Sequence, residues 1–363
     1  MIRVLFDLKK EYYLNSLLPL YRLMEEDDRY DVRIRVGSDQ RAYFKIWTVS
    51  ERSRIQSKLE EKGYQVTKET RDFDVVVCGD ALKNPQRYGD VLRIHLDHGV
   101  GIKTLRIRNI VRQHPVHYHV FLEGQYWYDY IGQCGWHDRA TFHITGLPKL
   151  DPLFRKGYYR PDELKRRLNL GREKPTILFA PSYKPSCIPY VREKVTELLP
   201  RYNVIVKLHP YSWGGKYAPH SQHRFYERLA KKEKNLYLIP RDEFDIYPYL
   251  MLADTLISDT SSVVNEFLAL GRHGVIYVLP YERLMHSDGM PVLSIDPRDW
   301  LKGAFVHIDD PRDLPGAVET ALNPTGEMRR QLKKYRNYFF HRLDGKASFR
   351  VKAKIDELMK GKF

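Results

Sequence analysis

A histidine and two glycines follow a predicted strand in the stretch "LDHGVGIK", residues 96–103. The imidazole of His98 can take or give a proton at neutral pH. Gly99 and Gly101 can let backbone N–H groups approach an anion, because glycine has no side chain to block the approach. The stretch therefore predicts proton transfer beside a bound anion, with a plain surface turn as the alternative interpretation.

Two further strands are predicted to end in groups that can bind phosphate. In "KLHP" (residues 207–210), Lys207 and His209 are two residues apart and lie on one face of the strand end. Both can donate hydrogen bonds to one phosphate. The stretch "FAPSYKPS" (residues 179–186) ends a strand in a loop that holds Ser182 and Lys184. That loop is predicted either to bind phosphate or a base, or to be an ordinary connection.

The stretch "SDTSSVVNEFLALG" (residues 258–271) has the pattern of a strand, a hydroxyl-rich turn and an apolar helix. Asp259, Ser261 or Ser262 can cap that helix, which is one sufficient interpretation. The same geometry can bind an anion through free N–H groups, the helix dipole and the serine hydroxyls. Glu266, one helical turn beyond Ser262, can then reach ribose hydroxyls. A nucleotide diphosphate would fit this pattern.

Strand and helix patterns alternate along the chain, which indicates an α/β fold with doubly wound parallel sheets. In the first half, strands are predicted at Ile2–Leu8, Asp31–Gly37, Asp72–Asp80 and Val91–Leu96, with a helix at Tyr13–Asp27. In the second half, strands are predicted within Pro175–Tyr183, Asn203–Pro210, Leu236–Pro240, Asp254–Ser262 and Gly274–Pro280. Two Rossmann-like domains facing one another would gather the strand-end side chains around a cleft.

At 363 residues the chain is longer than a domain with a single hydrophobic core usually is, so two domains are expected. We predict an N-terminal Rossmann-like domain at 1–145 and a linker rich in proline, glycine and charge at 146–174. A second Rossmann-like domain at 175–325 precedes a helical segment at 326–363, which is broken near Asp344–Gly345.

Lysine and arginine outnumber aspartate and glutamate by 61 to 46, which gives a formal net charge of +15. This excess suits a phosphate-rich substrate, an anionic membrane surface or nucleic acid. No signature of a nucleic-acid-binding module accompanies it, so nucleic acid is not predicted as a partner. The chain has no apolar run of membrane-spanning length, and its first residues lack the apolar core of a signal peptide. We therefore expect a cytoplasmic protein.

Neither a metal ion nor another cofactor is predicted. Cys78, Cys134 and Cys187 are odd in number and far apart, which favours buried free thiols over disulfides or a zinc site. His117 and His119 would share a strand face, but no nearby carboxylate or thiolate completes a set of metal ligands.

Five stretches together resemble the CDP-glycerol glycerophosphotransferases of teichoic-acid synthesis. They are "LDHGVGIK", "TGLPKLD" (residues 145–151), "ILFAPSYK", "KLHP" and "ISDTSSVVNEF", in the order and spacing of that family. The resemblance implies a GT-B fold with an acceptor-binding N-terminal domain and a nucleotide-donor-binding C-terminal domain. It also implies a peripheral enzyme at the inner face of the cell membrane. Such an enzyme moves glycerol phosphate from CDP-glycerol to a hydroxyl of a lipid-linked or glycan acceptor and releases CMP, in teichoic-acid-like or capsule polymer synthesis.

The resemblance also implies roles for individual residues. His98 takes the place of the family's general base, and His209 that of the histidine that contacts the donor pyrophosphate. Asp259, Ser261 and Ser262 match the family's phosphate-binding turn, and Glu266 falls where the family has an acid near the ribose. The residues themselves suggest Ser182, Lys184, Lys207 and Thr260 as further candidates for binding the donor phosphates and nucleotide. They also suggest Gly99, Gly101 and Lys103 as the loop that approaches the acceptor.

Two positions depart from the family pattern. Asp97 stands where an aromatic residue usually precedes the histidine, and "SDG" (Ser287 to Gly289) stands where an Arg-Gly pair is expected. The second departure leaves a CDP-linked donor of another polyol phosphate, such as ribitol phosphate, or of a sugar phosphate as alternatives to CDP-glycerol.

Rival functions share part of this pattern. A GT-B glycosyltransferase that uses a nucleotide sugar has the same fold and ribose contact, but reacts at an anomeric carbon. A nucleotide-sugar 2-epimerase is a weaker rival, because the first strand lacks the glycine- and arginine-containing loop expected after it. A basic protein that binds polyanions without catalysis is the alternative from another class, and it predicts salt-sensitive binding to any polyanion.

Overall fold

The computed structural model describes residues 1–37, 40–43, 47–50, 52–214, 222–279, 284–286 and 289–361. The chain divides into two compact units. The N-terminal unit comprises residues 1–99, 105–155 and 338–363, and the C-terminal unit comprises residues 100–104 and 156–337. Each unit is built on one parallel sheet, which confirms the α/β prediction.

The sheet of the N-terminal unit has the strand order β5-β2-β1-β6-β7-β8-β9, and every neighbouring pair in it is parallel. Its strands are β1 (Ile2–Leu8), β2 (Tyr30–Val36), β5 (Val66–Thr67), β6 (Val75–Cys78), β7 (Leu92–Leu96), β8 (His119–Leu122) and β9 (Thr141–Ile144). A separate antiparallel pair is formed by β3 (Gln40–Tyr43) and β4 (Trp47–Ser50).

The burial of these strands follows from their sequences. All four residues of β6, "VVVC", are buried, as expected for a central strand of a parallel sheet with helices on both faces. Strand β2 instead alternates buried and half-buried residues, because its charged side chains point to one face. The helices of this unit are α1 (Leu14–Glu25), α2 (Arg52–Glu61), α3 (Leu105–Val111), α4 (Gln125–Gln133) and α12 (Ala347–Lys360).

The sheet of the C-terminal unit is likewise parallel, in the order β12-β11-β10-β13-β14-β15. Its strands are β10 (Thr176–Phe179), β11 (Asn203–Val206), β12 (Leu236–Leu238), β13 (Thr255–Ser258), β14 (Gly274–Tyr277) and β15 (Val306–Ile308). The helices are α5 (Pro161–Arg167), α6 (Ile188–Val191), α7 (Gln222–Lys232), α8 (Tyr247–Leu252), α9 (Val263–Ala269), α10 (Leu314–Leu322) and α11 (Gly326–Phe339). In the described ranges, no helix combines the length and the apolar character needed to cross a bilayer.

Each sheet has one point at which the strand order reverses. The chain adds β2 on one side of β1 and β6 on the other, so the reversal in the N-terminal unit lies between β1 and β6. In the C-terminal unit it lies between β10 and β13. Open α/β sheets bind ligands at such a point, outside the carboxyl ends of the strands.

The cysteines are free, as predicted, although their burial differs. Cys78 on β6 and Cys187 are buried, and burial raises the pKa of both thiols. Cys134, just after α4, is half-buried, so the prediction of a buried thiol is wrong for it.

Helix α12 packs within the N-terminal unit, and its first turn is capped by Asp151, which lies far away in sequence. The predicted break near Asp344–Gly345 separates α11 from α12 and is confirmed. Asp151 is 2% exposed, and its carboxylate accepts hydrogen bonds from the backbone N–H groups of Ala347 and Ser348, each at 2.8 Å. These are the first N–H groups of α12, which a helix cannot satisfy itself.

We expect Asp151→Ala to lower the free energy of unfolding of the N-terminal unit by about 2 kcal/mol, because it leaves buried N–H groups without an acceptor. Amide hydrogen exchange of α12 and thermal unfolding measure the effect. Asp138→Ala is the matched control, since Asp138 is 73% exposed and pairs with Arg139 at 3.5 Å. Equal exchange rates in α12 for the two variants would contradict the capping role.

Candidate active site

His98 follows β7 in the N-terminal unit, and its ring is held in place by two contacts. Its Nδ1 lies 2.8 Å from the carbonyl oxygen of Gly79, directly after β6. Because a carbonyl oxygen only accepts, Nδ1 carries the hydrogen, and Nε2 of the neutral ring keeps its lone pair. Tyr13 stacks on the ring with centroids 4.0 Å apart. The side chain is 33% exposed, so Nε2 is the nitrogen suited to accept a proton.

The backbone around His98 is fixed by hydrogen bonds within the N-terminal unit. The carbonyl oxygen of His98 accepts from Ser16 Oγ at 3.0 Å and from Lys149 Nζ at 2.9 Å. The N–H of Gly99 donates to Asp97 Oδ1 at 2.8 Å. This N–H group was expected to approach an anion, but it is bound to a carboxylate of its own loop.

A buried group of three charged residues lies behind this loop. Arg106 on α3 donates from Nε to Asp97 Oδ2 at 2.8 Å, and from its two terminal nitrogens to Glu123 at 2.6 and 2.9 Å. Burial works against the charge of Asp97, but the Arg106 guanidinium lowers the pKa of that carboxyl below its usual value. Burial raises the pKa of Glu123, with Arg106 opposing it.

In the C-terminal unit, Asp259 fastens a loop across the reversal between β10 and β13. It is fully buried, and its two oxygens accept from the N–H groups of Ser182 and Cys187, each at 2.8 Å. Burial raises the pKa of Asp259, while these N–H groups and the charge of Lys103 act against the rise. The hydroxyl of Ser182 donates to the carbonyl of Pro185 in the same loop. Asp259 and Ser182 therefore shape the loop after β10.

Residues 100–104 belong to the C-terminal unit and pack against the turn before α9. A Cβ added to Gly101 would lie 3.1 Å from Cβ of Ser262, a tight contact, so glycine suits this close approach of the backbone. Asn265 on α9 donates to the carbonyl of Val100 at 2.7 Å. The Lys103 ammonium lies 6.0 Å from the ring centre of Tyr183. Burial lowers the pKa of Lys103, and Asp259 partly offsets this effect.

His209 follows β11, the strand beside β10. Its Nδ1 accepts a hydrogen bond from the N–H of Tyr211 at 3.1 Å, so the neutral ring carries its hydrogen on Nε2. The rings of Tyr183 and Tyr211 lie 4.4 and 5.2 Å from the imidazole. This tautomer is opposite to that of His98, and it makes His209 Nε2 a hydrogen-bond donor suited to a phosphate oxygen.

The turn between β13 and α9 holds a buried hydroxyl group. Thr260 is 1% exposed, and its Oγ1 has no hydrogen-bond partner among the described residues. A buried polar atom without a protein partner marks a place where a ligand or water can bind. Ser262, the residue before α9, makes no capping bond with its side chain, and Ser261 is half-buried beside it. Glu266, in the first turn of α9, is buried.

The two lysines predicted to bind phosphate differ in their surroundings. Lys207 donates from Nζ to the carbonyl oxygen of Glu243, in the loop after β12. Burial lowers the pKa of Lys207 to about 8, while nearby carboxylates led by Glu243 oppose the shift. Lys184 is exposed in the loop after β10. Ser287 and Asp288, which replace the expected arginine-glycine pair, lie outside the described residues.

The histidines considered as metal ligands bind other partners. Nδ1 of His119 lies 3.0 Å from Nε2 of His143, and Nε2 of His117 lies 3.0 Å from Thr141 Oγ1. Over the ranges that the structure describes, no three His, Cys, Asp or Glu side chains are grouped so that they could hold a metal ion.

Sequence reasoning missed several residues that shape the two histidine sites. Arg106, Glu123 and Tyr13 surround His98 or its loop, and Tyr211 fixes the ring of His209. One local signal existed, since Arg106 interrupts the apolar residues of "LRIRNIV" in α3. The other partners lie on separate elements, and no local pattern announces them.

Three curated proteins resemble part of this chain. The chain is 26% identical over 150 residues to the teichoic acid ribitol-phosphate polymerase TarL of Staphylococcus aureus, which covers 38% of this chain and 25% of TarL. It is 28% identical over 162 residues to the teichoic acid glycerol-phosphate primase of Bacillus subtilis, covering 42% of this chain and 38% of the primase. TarK of S. aureus is 23% identical over 150 residues. The matches thus span well under half the length of these relatives.

Solved structures resemble the whole chain at low sequence identity. The wall teichoic acid polymerase TagF has a TM-score of 0.65 and 16% identity over 99% of this chain and 89% of the TagF chain. A TagF variant has also been soaked with CDPG. A putative UDP-N-acetylglucosamine 2-epimerase of Listeria monocytogenes has a TM-score of 0.64 and 14% identity, over 99% of this chain and 97% of the epimerase. These neighbours are GT-B proteins, which confirms the GT-B fold implied by the sequence resemblance.

A match to the model of a protein family shows which family this chain belongs to. The model for CDP-Glycerol:Poly(glycerophosphate) glycerophosphotransferase matches residues 129–357, which is more than half of the chain. The match includes His209, Asp259 and the turn before α9, whereas His98 lies before it. The chain therefore belongs to the CDP-glycerol:poly(glycerophosphate) glycerophosphotransferase family.

Proposed function

We propose that the protein transfers glycerol phosphate, or a related polyol phosphate, from a CDP-linked donor to a hydroxyl of a lipid-linked or glycan acceptor, and releases CMP. The product would belong to a teichoic-acid-like or capsule polymer. The observation that carries the proposal is the pair of opposite tautomers, with Nε2 of His98 able to accept a proton and Nε2 of His209 able to donate a hydrogen bond. Phosphoryl transfer to a hydroxyl benefits from a group that takes the hydroxyl proton and from a donor that stabilises the departing phosphate.

The donor is proposed to bind at the reversal between β10 and β13 in the C-terminal unit. His209, the buried hydroxyl of Thr260, and the N–H groups and hydroxyls of Ser261 and Ser262 would bind the phosphates. Glu266 would bind the ribose. Asp259 and Ser182 hold the loop that borders this site, so their contribution to donor binding would be indirect. The soak of a TagF variant with CDPG supports a CDP-linked donor.

Three lysines would add positive charge to the proposed donor site. Lys103 is half-buried near Asp259 and Tyr183. Lys207, whose pKa of about 8 leaves much of it protonated at neutral pH, holds the loop after β12. Exposed Lys184 would contact the outer part of the donor. Positive charge here would stabilise the negative charge that develops on the departing CMP.

The acceptor is proposed to bind in the N-terminal unit beside His98, at the loop that contains Gly99. The acceptor hydroxyl would attack the β-phosphorus of the donor, forming one P–O bond while the bond to the CMP oxygen breaks. The hydroxyl proton would move to Nε2 of His98, and CMP would leave as an anion bound to His209 and the turn before α9. Phosphoryl transfer depends on this kind of positioning and charge stabilisation.

A membrane surface is proposed as a further partner. The formal net charge of +15 suits docking on anionic lipid from the cytoplasmic side, where a lipid-linked acceptor would be presented.

We expect His98→Ala and His209→Ala each to reduce the rate of CMP release from CDP-glycerol by about a hundredfold or more. The first removes the proton acceptor and the second a hydrogen-bond donor to the transition state. The assay follows CMP with a lipid-linked acceptor analogue, and circular dichroism checks folding. His137→Ala is the control, because His137 is an exposed histidine that binds a backbone carbonyl elsewhere in the N-terminal unit.

Full activity in a folded His98→Ala variant would show that the "HGVG" stretch only forms a turn and has no role in catalysis. If the native protein releases no CMP from CDP-glycerol, the same assay is run with CDP-ribitol and then with nucleotide sugars. Turnover of a nucleotide sugar alone would replace the proposed function by glycosyl transfer.

Thr260→Val should raise the KM for the CDP-linked donor roughly tenfold, because it removes a hydrogen bond to a charged phosphate worth about 1.5 kcal/mol. The thermal stability of the donor-free protein should not fall, since the hydroxyl that is lost has no protein partner.

Thr176→Val provides the matched control for that measurement. Thr176 is also fully buried with an unpartnered Oγ1 among the described residues, but it begins β10, at the opposite end of the strand from the proposed site. The donor KM of Thr176→Val should equal that of the native protein. An unchanged KM in Thr260→Val would remove Thr260 from the donor site.

A further inference from the structure

The carboxylate of Asp97 lies beside the His98 ring, and it stands where an aromatic residue was expected. Asp97 Oδ1 is 3.5 Å from His98 Nδ1 and accepts from the N–H of Gly99 at 2.8 Å. Asp97 Oδ2 accepts from Arg106 Nε at 2.8 Å. The carboxylate therefore has a fixed orientation, with one oxygen toward the imidazole and the other toward the guanidinium.

The partners of Asp97 are rigid as well. Arg106 forms two parallel bonds to Glu123, at 2.6 and 2.9 Å, and its guanidinium lies 4.8 Å from the ring centre of Trp127. The side chains of Arg106, Asp97 and Glu123 are 6%, 4% and 1% exposed. Bidentate pairs of this kind combine strength with a defined geometry.

The charges of these three residues cancel only if one carboxylate is neutral. With Asp97 and Glu123 both ionised, against the effect of burial on Glu123, two carboxylates surround one guanidinium. One negative charge is then left in a region that water hardly reaches. Of the two carboxylates, Asp97 is the one beside His98. A protonated His98 would balance the excess charge, so the arrangement is electrostatically suited to the imidazolium form of the ring.

Among the residues that the structure describes, further groups near the ring are aromatic, neutral or already paired. Tyr13 stacks on it, Tyr12 meets it edge-on at 6.2 Å, and Lys149 binds the backbone carbonyl of His98. Burial lowers the pKa of His95, on β7, to about 4, which keeps that ring neutral near pH 7. Asp80, after β6, forms a 2.6 Å ion pair with Lys9.

We propose that Asp97, held by Arg106 and Glu123, is a positioning residue that stabilises the protonated form of His98. The inference rests on the proposed function of His98 as the proton acceptor. As the acceptor O–H bond breaks, the proton binds to Nε2, and Nδ1–H keeps its contact with the carbonyl of Gly79. The positive charge that forms on the ring then faces Asp97 Oδ1. Release of the proton to solvent after CMP leaves would restore the neutral ring.

The test measures the titration of the His98 ring directly, in the full chain without substrate. The imidazole C–H resonances are followed by NMR against pH, and the signal of His98 is assigned by its loss in His98→Ala. In Asp97→Asn the titration midpoint should fall by about one pH unit or more, because the charge that favours imidazolium is gone. Glu123→Gln removes the same excess charge from a position farther from the ring, so the His98 midpoint should fall by less in this variant.

Asp151→Asn is the matched control, because it neutralises another buried carboxylate of the same unit that binds backbone N–H groups. Its midpoint for His98 should equal that of the native protein even if its stability is lower. The acidic limb of the pH profile for CMP release should move to lower pH in Asp97→Asn by the same amount as the midpoint.

An unchanged His98 midpoint in folded Asp97→Asn, or an equal shift in Asp151→Asn, would overturn the inference. Should Asp97→Asn fail to fold, the Glu123→Gln variant decides, and an unchanged midpoint there overturns the inference too. The NMR titration needs no turnover, so its failure is separate from that of the proposed function. Full activity of His98→Ala would instead show that His98 is not the proton acceptor, whatever midpoint the NMR titration gives.

Discussion

The proposed donor site depends on the hydrogen bonds that the carboxylate of Asp259 accepts. Its two oxygens join N–H groups of Ser182 and Cys187, and so fix the loop after β10 to the end of β13. That loop carries Tyr183, whose ring packs against His209 from the neighbouring strand. A buried carboxylate is stable only when its oxygens are satisfied, and burial raises its pKa nonetheless. The charge of Lys103 offsets part of this cost, and the backbone of residues 102–104 is in turn paired with residues 292–294.

Both histidine rings are oriented by the backbone, and this is what gives them different chemistry. His98 meets a carbonyl oxygen at Nδ1, whereas His209 meets an N–H group at the same atom. The other ring nitrogen, Nε2, is an acceptor in the first case and a donor in the second. Backbone partners are set by the fold, so the fold determines the tautomer of each ring. The carboxylate of Asp97 adds charge beside His98, while the carbonyl of Gly79 selects its tautomer.

The sequence predicted the architecture well, because hydrophobic periodicity reports directly on strands and helices. The strands that end before His98, Ser182, His209 and Asp259 all exist, and the parallel order brings the last three to neighbouring ends of one sheet. The sequence could not predict what each strand-end side chain binds. Asp259 was predicted to bind the donor, and the structure shows its carboxylate bound to a loop. The N–H of Gly99 was expected to approach an anion but binds Asp97. The partners of Asp259 depend on distances of a few ångströms between segments up to 77 residues apart, which no local pattern encodes.

Asp97, which replaces the aromatic residue usual in the family, belongs to a group of three interacting residues with Arg106 and Glu123. An aromatic residue at this position could pack beside the loop, but it could not accept the N–H of Gly99 or the Nε hydrogen of Arg106. Arg106 and Glu123 alone would then form a neutral pair, and no excess charge would remain near His98. Conversely, Asp97 without Arg106 would be a buried carboxylate lacking the guanidinium that lowers its pKa. Each member of the trio is stable because of the other two, so the identity of residue 97 and the electrostatics of His98 are physically inseparable in this chain.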